Sequence, residues 1–248
     1  RSGWDTKYML RLMVTSATYR QSAVMKPGLL KADPENWLLA RGPRFRMSAE
    51  MIRDNALAVS GLLVGRLGGP SVRPYQPPGL WVEVAVADDS YSGGQFKQDT
   101  GSALYRRSVY TWWKRTCPPP GLNALDAPER EFCQIRRIRT NTPLQALVLL
   151  NDPTYVEAAR VLAQQMMHRT GDHPDARIAF AFRRATARRP LPEESSILRN
   201  VYDKLHKRYQ QDRKAARQLI SVGDSEPDHQ LDAADLAAWT AIVSMILN

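Results

Sequence analysis

Side chains able to hold a charge, move a proton or form a redox bond are unevenly spread along this chain. They are densest between Tyr105 and Asp152. Arg106, Arg107, Tyr110, Lys114, Arg136, Arg137, Arg139 and Asn141 mix cationic, aromatic and amide groups there. Such a mixture could hold an anion, a sugar or a base, with guanidinium planes beside rings. The plainer reading is that long arginine stems cover aromatic rings at a seam. The two cysteines, Cys117 and Cys133, lie sixteen positions apart in the same stretch. A disulfide between them would close the proline loop and contribute roughly 3 kcal/mol in the chain-entropy model. The alternative is two thiols, one buried as a small apolar residue.

Other chemistries find no pattern. There is no CxxC or CxxCH, so no c-type haem attaches to this chain, and no zinc-ligand spacing. Nucleophile elbow, HExxH and dinucleotide fingerprint are missing, and Gly68-Gly69-Pro70-Ser71 lacks the Gly-Lys-Ser/Thr ending of a phosphate loop. His168, His173, His206 and His229 have no histidine at i+4 and read as surface residues. Asp88, Asp89, Asp99, Asp126, Glu129 and Glu131 fall in irregular segments. Two such carboxylates could hydrolyse a glycoside, but their spacing selects no pair, so the catalytic residues stay unassigned.

The formal net charge is +10. Residues 101–140 carry eight basic against three acidic side chains, and residues 169–217 thirteen against six. A basic surface favours polyanions: nucleic acid, anionic lipid, or sulfated and acidic polysaccharide. In 169–217 the charges alternate with apolar positions as on a solvated helix face. Nucleic-acid binding therefore rests on bulk charge without a motif. No apolar run approaches a membrane span.

The elements that must position these groups are mostly helices. The pattern places helices at 5–17, from Asp33 through Ala40, at Ala49–Leu63 behind a Ser48 cap, and at the Thr142-Pro143-Leu144-Gln145 capping box. More follow at Pro153–Met167, Pro174–Arg188 and Glu193–Gln218, with a last one behind an Asp232 cap. Between them, residues 65–141 are rich in Pro and Gly. Leu80–Ala87 and Tyr105–Arg115 alternate at period two and are expected as strands of a small hairpin. Asp126 is expected to cap a short helix containing Pro128. The fold class is thus mainly α, a helical bundle with a small irregular β-hairpin and proline-rich insertion in the middle. Residues 1–152 form the part holding the insertion, and 153–248 a bundle packed on it as one domain. Both ends fall inside helical patterns, so the chain reads as a piece of a longer one.

The runs RRSVYTWWKRTCPPP, LDAPEREFC and RRIRTNTPLQALVLLND resemble the planctomycete-specific domain one. LMVTSATYRQS, DPENWLLARGPRFRMSAEMIRD and GGPSVRPYQPPGLW extend that resemblance, in the family's order, over nearly the whole chain. The family is a C-terminal domain of unknown function in large exported proteins. The resemblance implies an exported setting, periplasmic or at the cell surface. It implies neighbouring domains of the same chain, often including one with c-type haem, and no established reaction. The first functional expectation is an accessory module binding a partner domain or an anionic glycan through the basic-aromatic surface. The second is part of a polysaccharide-acting or redox enzyme whose active site needs other domains.

Overall fold

The computed structural model describes residues 3–83 and 96–248. Two compact units divide at Met47 and Ser48. The protein is mainly helical, as expected.

In the first unit, Asp5 caps α1 (Thr6–Thr15), its carboxylate accepting the Tyr8 N–H at 3.1 Å. Helix α2 (Pro27–Ala32) starts on a proline. The helix expected from Asp33 is replaced by turns. The Asp33 carboxylate accepts the N–H groups of Trp37 and Leu38, both at 2.8 Å, and Asn36 and Leu39 take positive φ. A side chain that satisfies these amides offers the backbone an alternative to the helix. Among the described residues of this unit Asp33 is the only buried side chain, while Trp4, Trp37 and Leu38 stand open to solvent.

The second unit is built around α7 (Pro153–Thr170), whose side chains are buried almost all round. On one flank α3 (Ala49–Ser60) and the short α5 (Pro120–Ala124) close over Ala56, Leu122, Leu125, Tyr155 and Ala158. On the other, α8 (Pro174–Thr186), α9 (Pro192–Gln211), α10 (Arg213–Ile220) and α11 (Ala233–Leu247) enclose a larger core. Leu162, Met166, Ile178, Leu236, Trp239 and Ile242 lie at its centre, none of them exposed. Asp235 ties three of these helices, accepting from Arg177 at 3.1 Å and from the Tyr202 hydroxyl at 2.6 Å, and Arg177 also donates to Asp172 at 2.8 Å. Helices α3 and α7 share a core, so one compact unit runs across position 152.

Several helix boundaries follow the caps. Thr142 and Gln145 form both halves of the capping box of α6 (Pro143–Asn151), and Asp152 ends α6 and caps α7. Asp232 caps α11 through the N–H groups of Ala234 and Asp235. Others differ from expectation. Helix α3 ends at Gly61, φ 79°, because glycine enters the left-handed region at no steric cost. Ser48 stands at its N-cap without a side-chain bond. The expected helix Glu193–Gln218 is two helices, broken where the Asp212 carboxylate accepts the Ala215 N–H and starts α10.

The hairpin is not confirmed. Leu80–Glu83 is a single helical turn, α4, and the rest of that expected strand, with Asp88, Asp89 and the polar turn to Gly94, lies outside the described residues. Tyr105–Arg115 is not a strand either. It holds two 3-10 turns, Gly101–Tyr105 and Ser108–Tyr110, and its backbone pairs with the 64–72 segment as isolated bridges, Val64–Arg106 and Val72–Thr111. The cause lies in α3. Arg53 donates to Leu104 O at 2.6 Å and to Arg106 O at 2.9 Å, and Asp54 accepts the Ser108 N–H at 2.7 Å. Backbone groups that a ladder would pair are thus taken by side chains of a helix. The helix expected around Pro128 does not form. Asp126 adopts φ 64° and its carboxylate accepts the Thr140 N–H at 2.7 Å instead.

Candidate functional site

Arg106 is buried, 5% exposed, and its charge is spent on backbone. It donates to Pro70 O at 2.9 Å, to Arg66 O at 3.3 Å and to Gly68 O, and lies 3.9 Å over the Tyr110 ring. The Tyr110 hydroxyl accepts the Gly68 N–H at 2.8 Å, so the pair shapes the Gly68–Pro70 loop. Neighbouring cations cover rings in the same way. Arg73 lies over Trp112 at 5.4 Å, Lys114 over Trp81 at 4.5 Å and Arg130 over Trp113 at 4.4 Å. Trp81 in turn packs on Trp112 at 4.8 Å and on Phe96 at 5.1 Å. Arg107 is exposed and sits 3.6 Å from Asp54.

The arginines of the second cluster lie in a different place, on the segment between α5 and α6. One end is fixed by Asp126, whose carboxylate receives the Thr140 hydroxyl at 2.9 Å and the Gln145 amide at 3.2 Å. Gln145 is buried and belongs to the capping box, so this clamp joins the segment to the start of α6. Residues 129–144 are exposed throughout. Arg137 donates to Glu50 at 2.8 Å. Arg136, Arg139 and Asn141 are exposed on the same segment. The eight predicted residues therefore fall into two groups: Arg106, Arg107, Tyr110 and Lys114 beside α3 and the Gly68–Pro70 loop, and Arg136, Arg137, Arg139 and Asn141 on the outer segment. Large apolar side chains stand open with the second group: Phe132, Ile135, Ile138, Leu144 and Leu147.

Of the two readings of the cysteines, the structure has the pair of thiols. Cys117 is buried and Cys133 exposed, both as free thiols. Cys117 packs just before α5, where burial pushes its thiol up, whereas Cys133 belongs to the outer segment. Pro120 also departs from the extended loop read from sequence, because it occupies the first turn of α5, where a missing N–H costs nothing.

One acidic residue that sequence reading passed over, Glu157, is buried in α7. Glu157 receives the hydroxyls of Tyr75 at 2.9 Å, Tyr105 at 2.8 Å and Ser225 at 2.6 Å, and the Ser225 N–H at 2.7 Å. Arg160, 0% exposed, lies 3.7 Å away and donates to Ser225 O at 2.6 Å and Glu226 O at 3.1 Å. Burial lowers the Arg160 pKa, with Glu157 opposing that shift. Burial also raises Tyr105 to about 12, assisted by its bond to Glu157, and raises Tyr75 further. Glu157 accepts four donors, three of them on one oxygen, so this network anchors the Gly223–Glu226 turn. At the helix cap, the half-buried Asp152 carboxyl is raised by desolvation, opposed by the Thr154 bonds and by Arg53. Glu157, Arg160 and Gln164 recur at helical spacing and read from sequence as a polar face, so only the fold reveals the burial of the first two.

Among the described residues no group of His, Cys, Asp and Glu could hold a metal ion. No helix among them is long and apolar enough to cross a membrane. His168 meets Asp228 at 2.5 Å on the surface. The family profile described as PSD1, protein of unknown function (DUF1553), matches residues 1–202, more than three quarters of the chain. The chain belongs to the PSD1 family. No curated protein and no solved structure matches it. The PSD1 match stops inside α9, although α10 and α11 complete the core around α7.

Proposed function

We propose that this PSD1 chain is a non-catalytic accessory module that docks a partner domain on its outer segment and α6. One observation carries the reading: Phe132, Ile135, Ile138, Leu144 and Leu147 are all exposed within sixteen residues that also hold three arginines, Arg136, Arg137 and Arg139. Exposed apolar side chains concentrated in this way mark interaction surfaces. Arginine among them suits an acidic rim on the partner. The inner basic-aromatic group supports the same choice, because Trp81, Trp112 and Trp113 already carry their own cations. The open apolar residues of the first unit, Trp4, Trp37 and Leu38, are a second region suited to burial against other protein. The resemblance to planctomycete-specific domain one makes the partner another domain of the same longer, exported protein, with c-type haem on a neighbouring domain.

The test compares backbone hydrogen exchange of residues 129–142 in this chain alone and in the full-length protein that contains it. Protection appearing only in the full-length protein, and lost again with Ile135→Asp and Ile138→Asp, is the expected result. Equal exchange in both refutes the proposal. An anionic glycan is the second reading, favoured by the exposed Arg136, Arg137 and Arg139. Retention on a sulfated-polysaccharide column that Arg136→Ala with Arg137→Ala leaves unchanged eliminates it.

A further inference from the structure

A groove of about 450 Å³ opens between the Tyr75–Pro78 turn, the start of α5 and the elbow joining α6 to α7. Its walls are largely apolar, with Pro77, Pro78, Pro120, Leu147 and Val148. Tyr75, Gly121 and Asp152 line this groove and also a much smaller hole behind it, of about 30 Å³. Arg53, Thr111 and Tyr155, all buried, line the hole as well.

Three features give this throat the character of a binding site. Thr111 is 4% exposed and its Oγ1 has no hydrogen-bond partner among the described residues. A buried hydroxyl without a partner is costly, and native structures carry few of them. The passage also depends on Gly121: a Cβ there would stand 3.0 Å from Asp152 Oδ2. Finally, the charges nearby cancel. Arg53 stands 4.0 Å and Arg107 3.6 Å from Asp54, and Arg53 also acts on Asp152. Two guanidinium groups and two carboxylates leave no net charge to attract an ion, and an ion entering would lose its hydration. A hole of this size admits one small polar head, since it is comparable to the space a water molecule occupies.

We propose that the groove and throat bind an uncharged ligand with a hydroxyl or carboxamide head on a branched aliphatic body. The head donates to Asp152 and bonds Thr111 Oγ1, and the body lies along Pro77, Pro120 and Leu147. The groove shares Leu147, Val148 and Asn151 of α6 with the docking face proposed above, and its throat lies outside that face.

Four probes of one shape and different heads test this: 3-methylbutan-1-ol, 3-methylbutanamide, 3-methylbutanoate and 3-methylbutylammonium. Each is titrated into the isotopically labelled chain, following the amide signals of Gly121 and Thr154. The alcohol and the amide are expected to give saturable shifts with Kd of about 1–10 mM, ordinary for ligands of so few atoms, and the two ions to bind at least about tenfold more weakly. Thr111→Val keeps the side-chain shape and removes the orphan hydroxyl. It is expected to weaken both neutral probes about fivefold or more while the melting temperature holds or rises. Gly121→Ala is expected to abolish binding by narrowing the throat. Saturable shifts from none of the probes, equal binding of neutral and charged heads, or unchanged binding to Thr111→Val each overturns the proposal.

Discussion

Replacing Arg160 by methionine probes the centre of the second unit. The guanidinium donates to Ser225 O at 2.6 Å, Ser225 Oγ at 2.9 Å, Gln164 at 3.0 Å and Glu226 O at 3.1 Å. Methionine fills most of the volume and makes none of these bonds. The Ser225 and Glu226 carbonyls lose a charged donor, and the wholly buried Glu157 loses its countercharge. Removing one partner of a buried pair costs about 3–5 kcal/mol. We take about 4 kcal/mol, because the four donors to Glu157 remain and keep the loss from the top of that range. With a urea m-value of about 2 kcal/mol per molar, the unfolding midpoint falls by about 2 M. Tryptophan fluorescence reads the transition, since Trp239 lies in the same core. A fall of less than about 0.5 M, corresponding to about 1 kcal/mol, refutes the view that this pair organises the unit. In the double variant Glu157→Gln with Arg160→Met the effects should not add, because the two residues share Ser225.

Three further outcomes are expected. Glu194 is held down to about 2, first by its bonds to Arg188 and then by the Leu191 N–H, so its stabilising contribution is whole above its ordinary pKa of 4.5 and is lost as pH falls toward 2. Glu194→Gln should therefore flatten the stability curve across that window in denaturant unfolding at stepped pH. A thiol reagent should titrate Cys133 quickly and Cys117 only on unfolding, because one is exposed and the other buried with a raised pKa; two fast equivalents contradict this placement. Thr142→Ala removes half of the α6 capping box and should cost about 1 kcal/mol, measured by the same unfolding assay.

The helices were legible wherever a cap and an apolar stripe coincide. Thr142-Pro143-Leu144-Gln145, Asp152-Pro153 and Asp232 all start helices as the sequence indicates, because a side chain three residues or fewer from its amide decides the matter locally. The period-two alternation of Tyr105–Arg115 misled because its deciding partners are distant. Arg53 and Asp54 lie some fifty positions earlier and capture the backbone that a ladder would need. The arginines of the candidate site were legible as a composition but not as two separated groups, since only the fold assigns Arg106 to carbonyls and leaves Arg136 outside. Asp152 was visible as a cap, while its place in a throat depends on Gly121 approaching from another segment.

The bonds between Glu157 and Ser225 bear on when this protein can fold. They join positions far apart in the chain, and Gly223 makes the approach possible: a Cβ there would fall 2.3 Å from the Glu157 side chain. A ribosome delivers α7 long before the turn that satisfies its buried carboxylate or the α11 face that covers its apolar one. Until residues up to Leu247 emerge, α7 holds an unpaired acid and an open greasy surface in water. Contacts of such span close slowly, since loop closure must precede their reward. The second unit thus closes its core only once α11 has been made, and α7 stays incompletely covered through that interval.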